Sequence, residues 1–190
     1  MNELIDRFSQ HYRIERAECE QFLSNFSEYG CAKKDNIVIP GGFNDDVYVL
    51  REGVLRAYMP TGESDVSLWF AYPGDIVFNV WCYCRKEDSP IGIEAMTQVS
   101  ALVASREKLV SMCDESHLYA NVFRKILEGH AADYEENTIS LLECGGGLER
   151  YLSVLKRHPE LLQHIPLNKL ASYLQLAPQS LSRIRARIKK

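Results

Sequence analysis

The chain has 190 residues, 46% of them hydrophobic and 25% charged, with a formal net charge of −4. That suits one large domain, or a medium domain with a small appendage, and no run approaches the roughly 18 uninterrupted apolar residues of a membrane span. The opening "MNELIDRFSQHYRIERAECE" is charged and amphipathic, without an apolar signal core, so the expected location is the cytoplasm, with no membrane partner.

Leu4, Ile5, Phe8 and Tyr12, then Phe22, Leu23 and Phe26, recur at three-to-four spacing. This predicts helix over 3–28, stopped by Tyr29-Gly30. From about 36 to 105 short runs rich in Val, Ile, Leu and aromatics alternate with turn residues such as Pro60-Thr61-Gly62 and Pro73-Gly74-Asp75. Such spacing predicts an antiparallel sandwich or barrel. Within "VYVLREGVLRAYM", Glu52-Gly53 reads as a tight hairpin link.

From Arg106 the pattern is helical again, with a long helix reaching about Glu143. Its stripe is Tyr119, Val122, Phe123, Ile126 and Leu127, then Tyr134, Thr138, Leu141 and Leu142. A stripe this long predicts burial against a second copy, giving a homodimer; packing on the sandwich is the alternative. Gly145, Gly146 and Gly147 interrupt the helix, since each glycine costs about 1 kcal/mol relative to Ala. The expected boundary therefore separates 1–144 from 145–190, whether the glycines form a hinge or a cap and loop. A helix follows over "LERYLSVLKRHPELLQHIP", with Tyr151, Leu152 and Leu155 inward and an end near His158-Pro159.

"IPLNKLASYLQLAPQSLSRIRARIKK" has helix-turn-helix spacing. Pro166 suits a helix start, and Leu167, Leu170, Ala171 and Leu174 form a stripe in which Ala171 admits a crossing helix. Gln175-Leu176-Ala177 is the turn, and Pro178 begins the second helix without losing a needed N–H. Leu181, Ile184 and Ile188 are expected to face inward. Gln179, Ser180, Ser182, Arg183, Arg185 and Arg187 remain for solvent or for DNA, since short polar residues and Arg are what reach base edges and phosphates. Gln175 stands where many such motifs place Gly, and Ala177 cannot cap the helix. From Leu148 to Lys190 nine Lys/Arg face two Asp/Glu, a formal +7 against −11 for the rest. A small basic module on an acidic body points to a polyanionic partner.

This order of parts resembles the Crp/Fnr family of bacterial transcription regulators, carried by "VYVLREGVLRAYM", "SLWFAYPGDI", "LERYLSVLKRHPELLQHIPLNKLASYL" and "LSRIR". The resemblance implies an α+β chain: a cyclic-nucleotide-binding-like β jelly roll as sensor, a long dimerisation helix, and a small C-terminal helix-turn-helix domain. It places Gln179, Ser180 and Arg183 where the family reads bases of double-stranded DNA, and leaves room for RNA polymerase as a protein partner. Members with a wing carry a β-hairpin after the recognition helix. This sequence stops at Lys190, so phosphate contacts fall to Lys169, Arg185, Arg187, Lys189 and Lys190.

The family's cyclic AMP site does not carry over. Its ribose glutamate falls nearest Asn79, and its Arg-Ser phosphate pair nearest Ser89-Pro90, where proline offers neither cation nor N–H. An unknown small-molecule effector is left with an apolar pocket built from Trp69, Phe78, Asn79, Trp81 and Tyr83. The six cysteines include no CxxC pair; they read as reduced thiols, with an iron–sulfur sensor as the alternative, and no cofactor is expected. A cupin-type metalloenzyme needs strand-borne histidines, and none of His11, His117, His130, His158 and His164 lies in the predicted sandwich. The chain is thus expected to be no enzyme but a dimeric DNA-binding regulator. The alternative is a dimeric ligand-sensing or protein-interaction module with a degenerate helix-turn-helix.

Overall fold

The computed structural model describes residues 1–62, 64–143, 146–157 and 165–188. Two helices, α1 (Asn2–Tyr12) and α2 (Arg16–Leu23), precede eight strands: β1 (Ser27–Cys31), β2 (Asn36–Val38), β3 (Val47–Glu52), β4 (Leu55–Thr61), β5 (Ser64–Ala71), β6 (Ile76–Val77), β7 (Gly92–Ala95) and β8 (Val99–Ala104). Then come α3 (Arg106–Glu115), α4 (His117–Glu143), α5 (Gly147–Arg157), α6 (Leu167–Tyr173) and α7 (Pro178–Ile188). The strands form two antiparallel sheets, ordered β1-β8-β3-β6 and β2-β7-β4-β5. This is the mixed α+β jelly roll with helices at both ends of the chain that the sequence predicts.

Strand periodicity explains the layering. Along β3, Tyr48 and Leu50 point into the sandwich, while Val47 and Val49 point outward to a core shared with α1, α2 and α4. In β8, Val99 and Ala101 go inward and Leu102 and Ala104 outward. Where β3 and β8 pair, the first sheet is therefore apolar on both faces and covered on both. The second sheet has the same inner set, Leu55, Ala57, Ala71 and Ile93. Its outer residues Val54, Phe70, Tyr72 and Met96 join Tyr151, Val154, Leu170, Ala171, Tyr173, Leu174 and Leu181 in one core. The C-terminal helices thus pack against a sheet and form the fourth layer.

Several sequence expectations change. The predicted N-terminal helix breaks at Arg13, whose φ is +53°, and ends at Leu23. Tyr29 and Gly30 lie within β1, paired with β8, instead of acting as a stop. Glu52-Gly53 is no hairpin link, because β3 and β4 belong to different sheets. Gly53 carries the chain from one sheet to the other at φ +95°, and a Cβ there would fall 2.4 Å from the Gln98 carbonyl oxygen. The true hairpin joins β4 to β5, with Thr61 opposite Ser64.

The stripe on α4 is divided. Val122, Phe123 and Ile126 are buried in this chain's own core, not on a free face. Leu127 and Tyr134 remain exposed, at 36% and 65%. The side chains of Leu141 and Leu142 lie outside the described part, as do Cys144 and Gly145, and residues 158–164 where the next helix was expected to end. In α5 Tyr151 and Val154 are buried, whereas Leu152 faces solvent because its position falls on the opposite side of the helix. A β-carbon at Gly53 would meet both a carbonyl and a disfavoured backbone angle. Gly53→Ala is therefore expected to cost about 1–3 kcal/mol, read as a lower urea midpoint; an unchanged midpoint would refute this account of the sheet crossover.

Candidate nucleic-acid interface and sensor pocket

Helix α6 starts straight after Pro166, and its Leu170, Ala171 and Leu174 are buried. Gln175 then adopts φ +54°, a left-handed conformation that costs a non-glycine residue roughly 1 kcal/mol. It turns the chain so that the Leu176 N–H donates to the Ala171 carbonyl at 2.8 Å. The half-buried Leu176 side chain fills the angle between helices. A Cβ on Gly147 would lie 2.7 Å from it and 3.3 Å from Ile184 Cδ1. The third glycine of the triplet is thus where α5 approaches the turn closely.

Pro178 opens α7, and Leu181 anchors it in the core. Gln179, Ser180, Ser182, Arg183 and Arg187 lie exposed on its outer side, with Arg185 half-buried. Arg185 and Arg187 fall in the last turn, where cations suit the helix dipole. Ile188, expected inward, is exposed, since it lies at the helix end beyond the last residue of the core. Lys189 and Lys190 lie outside the described residues.

Lys169 is held elsewhere. Its Nζ lies 2.5 Å from Asp65 Oδ2 on β5, facing the sheet. Asp65 also pairs with Arg56, whose side chain is fully buried and reaches Ser67 Oγ at 2.7 Å and Glu94 at 2.5 Å. Burial alone would raise the Asp65 pKa, but the hydrogen bonds from Lys169 and Arg56 hold it below the ordinary carboxylate value. Two further bonds seat α6 on β5. The Ser67 N–H donates to Ser172 Oγ at 3.0 Å, and the Ser67 hydroxyl donates to the Lys169 carbonyl at 3.0 Å. Spacing arguments along the helix missed this role, because the partners lie a hundred residues apart. The charged triplet of Arg56, Asp65 and Glu94 within the strand runs was the available signal.

The five residues proposed for an effector pocket are dispersed. Phe78 and Tyr83 stack edge-on at 5.3 Å within the helical core. Trp81 is exposed in a π-helical turn (Trp81–Arg85), with Arg85 over its ring. Asn79 is buried and donates to Ser89 Oγ at 2.6 Å, while its own carbonyl accepts from the Cys82 N–H. Ser89 is also buried and bonds through its backbone to Gly41 and Gly42. The positions nearest the family's nucleotide contacts therefore satisfy each other. Trp69 stands apart, on a cleft beside α4. Among the described residues no group of three His, Cys, Asp or Glu is placed to hold a metal ion, and no helix is long and apolar enough to cross a membrane.

A jelly roll carrying a long helix and a terminal helix-turn-helix is the architecture of the Crp/Fnr regulators, and comparison with solved structures gives that fold. The c-di-GMP-responsive global regulator CLP of Xanthomonas campestris is 15% identical at a TM-score of 0.69, covering 92% of each chain. FixK2 of Bradyrhizobium japonicum is 18% identical at 0.68, covering 86% of this chain and 84% of its own. A chain from Eubacterium rectale, described as a transcriptional regulator of the Crp/Fnr family, is 15% identical at 0.68, covering 93% and 84%. No protein-family model matches the sequence, and no curated protein matches it.

Asp65→Asn would keep the shape of the junction but remove the charge between Arg56 and Lys169. With Glu94 still present, the expected loss is about 2 kcal/mol. Because the folded carboxyl has a lowered pKa, its stabilisation is full above the ordinary value of 3.8 and is lost as pH falls through the lowered one. Thermal unfolding between about pH 2 and 5 should therefore fall more steeply on acidification for the parent than for the variant. Parallel curves would show that Asp65 is not the coupling group.

Proposed function

We propose that the protein is a dimeric, double-stranded-DNA-binding transcriptional regulator of the Crp/Fnr type, regulatory and not catalytic. Residues 1–144 would act as its sensor unit and 145–190 as its DNA-binding unit. The observation that carries this reading is α7. It buries Leu181 while presenting Gln179, Ser180 and Arg183 near its N-terminal end and Arg187 farther along, all exposed. A helix anchored by one side and polar at its leading end is what the major groove admits. Gln179, Ser180 and Arg183 are assigned to bases, Arg185, Arg187 and Lys189 to phosphate, and Ser182 to the DNA-facing surface between them. Lys169 would contribute only where its pair with Asp65 opens.

Dimerisation is assigned to the other side of α4. Leu127, Ala131, Tyr134 and Thr138 follow 4-3-4 spacing and are exposed, and a shallow groove lined by Cys113, Ala120, Phe123 and Leu127 continues the seam. Knobs at that spacing suit a second copy of the same helix. Cyclic AMP is not expected as effector. Its ribose and phosphate would meet Asn79 and Ser89 already bonded to each other, with Pro90 in place of a phosphate donor.

Two experiments test these assignments. Leu127→Glu should give monomers by sedimentation without loss of fold, whereas Ile126→Glu should unfold the sensor; monomers from Ile126→Glu alone would put the seam on the wrong face. In a binding selection on DNA, Arg183→Ala should cost ~1–3 kcal/mol and relax preference at one position per half-site. Arg187→Ala should weaken all sequences alike and flatten the salt dependence by about one contact per subunit. If the parent binds no DNA even at ~50 mM salt, the degenerate-module reading takes its place.

A further inference from the structure

The junction between β5 and α6 contains one cation that is fixed and one that is free to leave. Arg56 is fully buried, with its guanidinium bonded to Asp65, Glu94 and Ser67. The side chains of Lys169 and Asp65 are 25% and 26% exposed, and their Nζ and Oδ2 atoms lie 2.5 Å apart. If Lys169 turned away, Asp65 would keep Arg56 as its partner, so the carboxylate would not be left without a cation. The backbone need not move. Ser67 donates to the Lys169 carbonyl and to the Ser172 hydroxyl, which holds α6 in place while the lysine side chain rotates. Lifting the helices off the sheet would instead bare the buried Val54, Phe70, Tyr72 and Met96.

On the reading of the protein as a DNA-binding regulator, we propose that Asp65 competes with DNA phosphate for Lys169, so that a carboxylate on a sensor strand sets the affinity of the helix-turn-helix for DNA. The first helix of such a motif crosses the DNA backbone, and Lys169 stands in the first turn of α6. Its ammonium is a compact charge on a flexible stem, able to exchange one anionic oxygen for another without a fixed fork geometry. Asp65 Oδ2 is thus an internal stand-in for a phosphate oxygen. Each subunit gains the Lys169 phosphate contact only by giving up the pair with Asp65, so the net gain is smaller than for an unpaired lysine. Arg56 cannot take part in the exchange, since its whole side chain is enclosed.

Competition differs from a purely structural role in the sign of its effects. Asp65 ties β5 to both Arg56 and Lys169, so removing its charge lowers stability. A structural aspartate would then weaken DNA binding as well, by loosening α6 beneath the recognition helix. A competing aspartate does the opposite: the less stable variant binds DNA more tightly, because Lys169 is released. Removing a negative charge also favours DNA in a general way, so the gain must be traced to Lys169.

Binding of the full chain to a random-sequence duplex of about 30 bp, three helical turns, measured over a range of salt, tests this in the parent, Asp65→Asn, Lys169→Gln and the double variant. Asp65→Asn is expected to bind about three- to tenfold tighter, with a log–log salt slope steeper by about 0.9 per subunit. Lys169→Gln should erase that gain in the Asp65→Asn chain and cost the parent only a fraction of a contact. Unchanged or weaker binding by Asp65→Asn, or a gain that survives Lys169→Gln, would overturn the proposal. Should Asp65→Asn not fold, the parent decides: loss of a full contact per subunit from Lys169→Gln, or of none, overturns it equally. No binding by any of these chains at ~50 mM salt removes the regulator reading, and the competition with it. Binding by the parent without a gain in Asp65→Asn removes the competition alone.

Discussion

A single buried guanidinium organises the junction between the sheet and the C-terminal helices. Arg56 sits on the outer face of β4, fully enclosed, where an uncompensated charge would be prohibitive. Its fork is filled by Asp65, Glu94 and Ser67. Two of those three also hold α6, Asp65 through Lys169 and Ser67 through the Lys169 carbonyl and Ser172. The charge on the sheet and the seating of the helix therefore depend on one another. Losing α6 would expose Arg56, and losing Arg56 would leave Lys169 alone to balance Asp65 and Glu94.

Much of the fold was legible in the sequence because period and punctuation report local geometry. The strand runs, the glycine turns, the long helix and the helix-turn-helix spacing all follow from contacts a few residues apart. What was not legible is the destination of each face. Ile126 and Leu127 are adjacent in one apolar stripe, yet one enters the core and the other faces solvent. Gly53 has the composition of a hairpin turn, but its torsion serves a change of sheet. Lys169 has the charge of a phosphate contact, yet its geometry is set by an aspartate a hundred residues earlier. The five aromatic and polar residues near 69–83 share a stretch of sequence, while their environments are fixed by α1, α4 and the Gly41-Gly42 turn.

The sandwich interior is filled by its own apolar side chains. Leu50, Leu55, Ala57, Ile93 and Ala101 meet inside it. Asn79 and Ser89 then close on each other at its rim. Both are buried polar groups with partners, so opening the rim would leave each unsatisfied until a ligand replaced the lost bonds.

Helix α4 runs about 40 Å at 1.5 Å per residue and changes its surroundings along the way. Near its start Val122 and Ile126 are locked in the core shared with α1, α2 and the first sheet; ten residues later Asp133 and Tyr134 are exposed. Its backbone amides therefore belong to two populations by hydrogen exchange. Those around 122–126 should open only with that core as a whole, and those around 131–138 by local fraying. A second chain laid along the exposed half would merge the two populations, so the exchange rate of that half is an internal gauge of assembly.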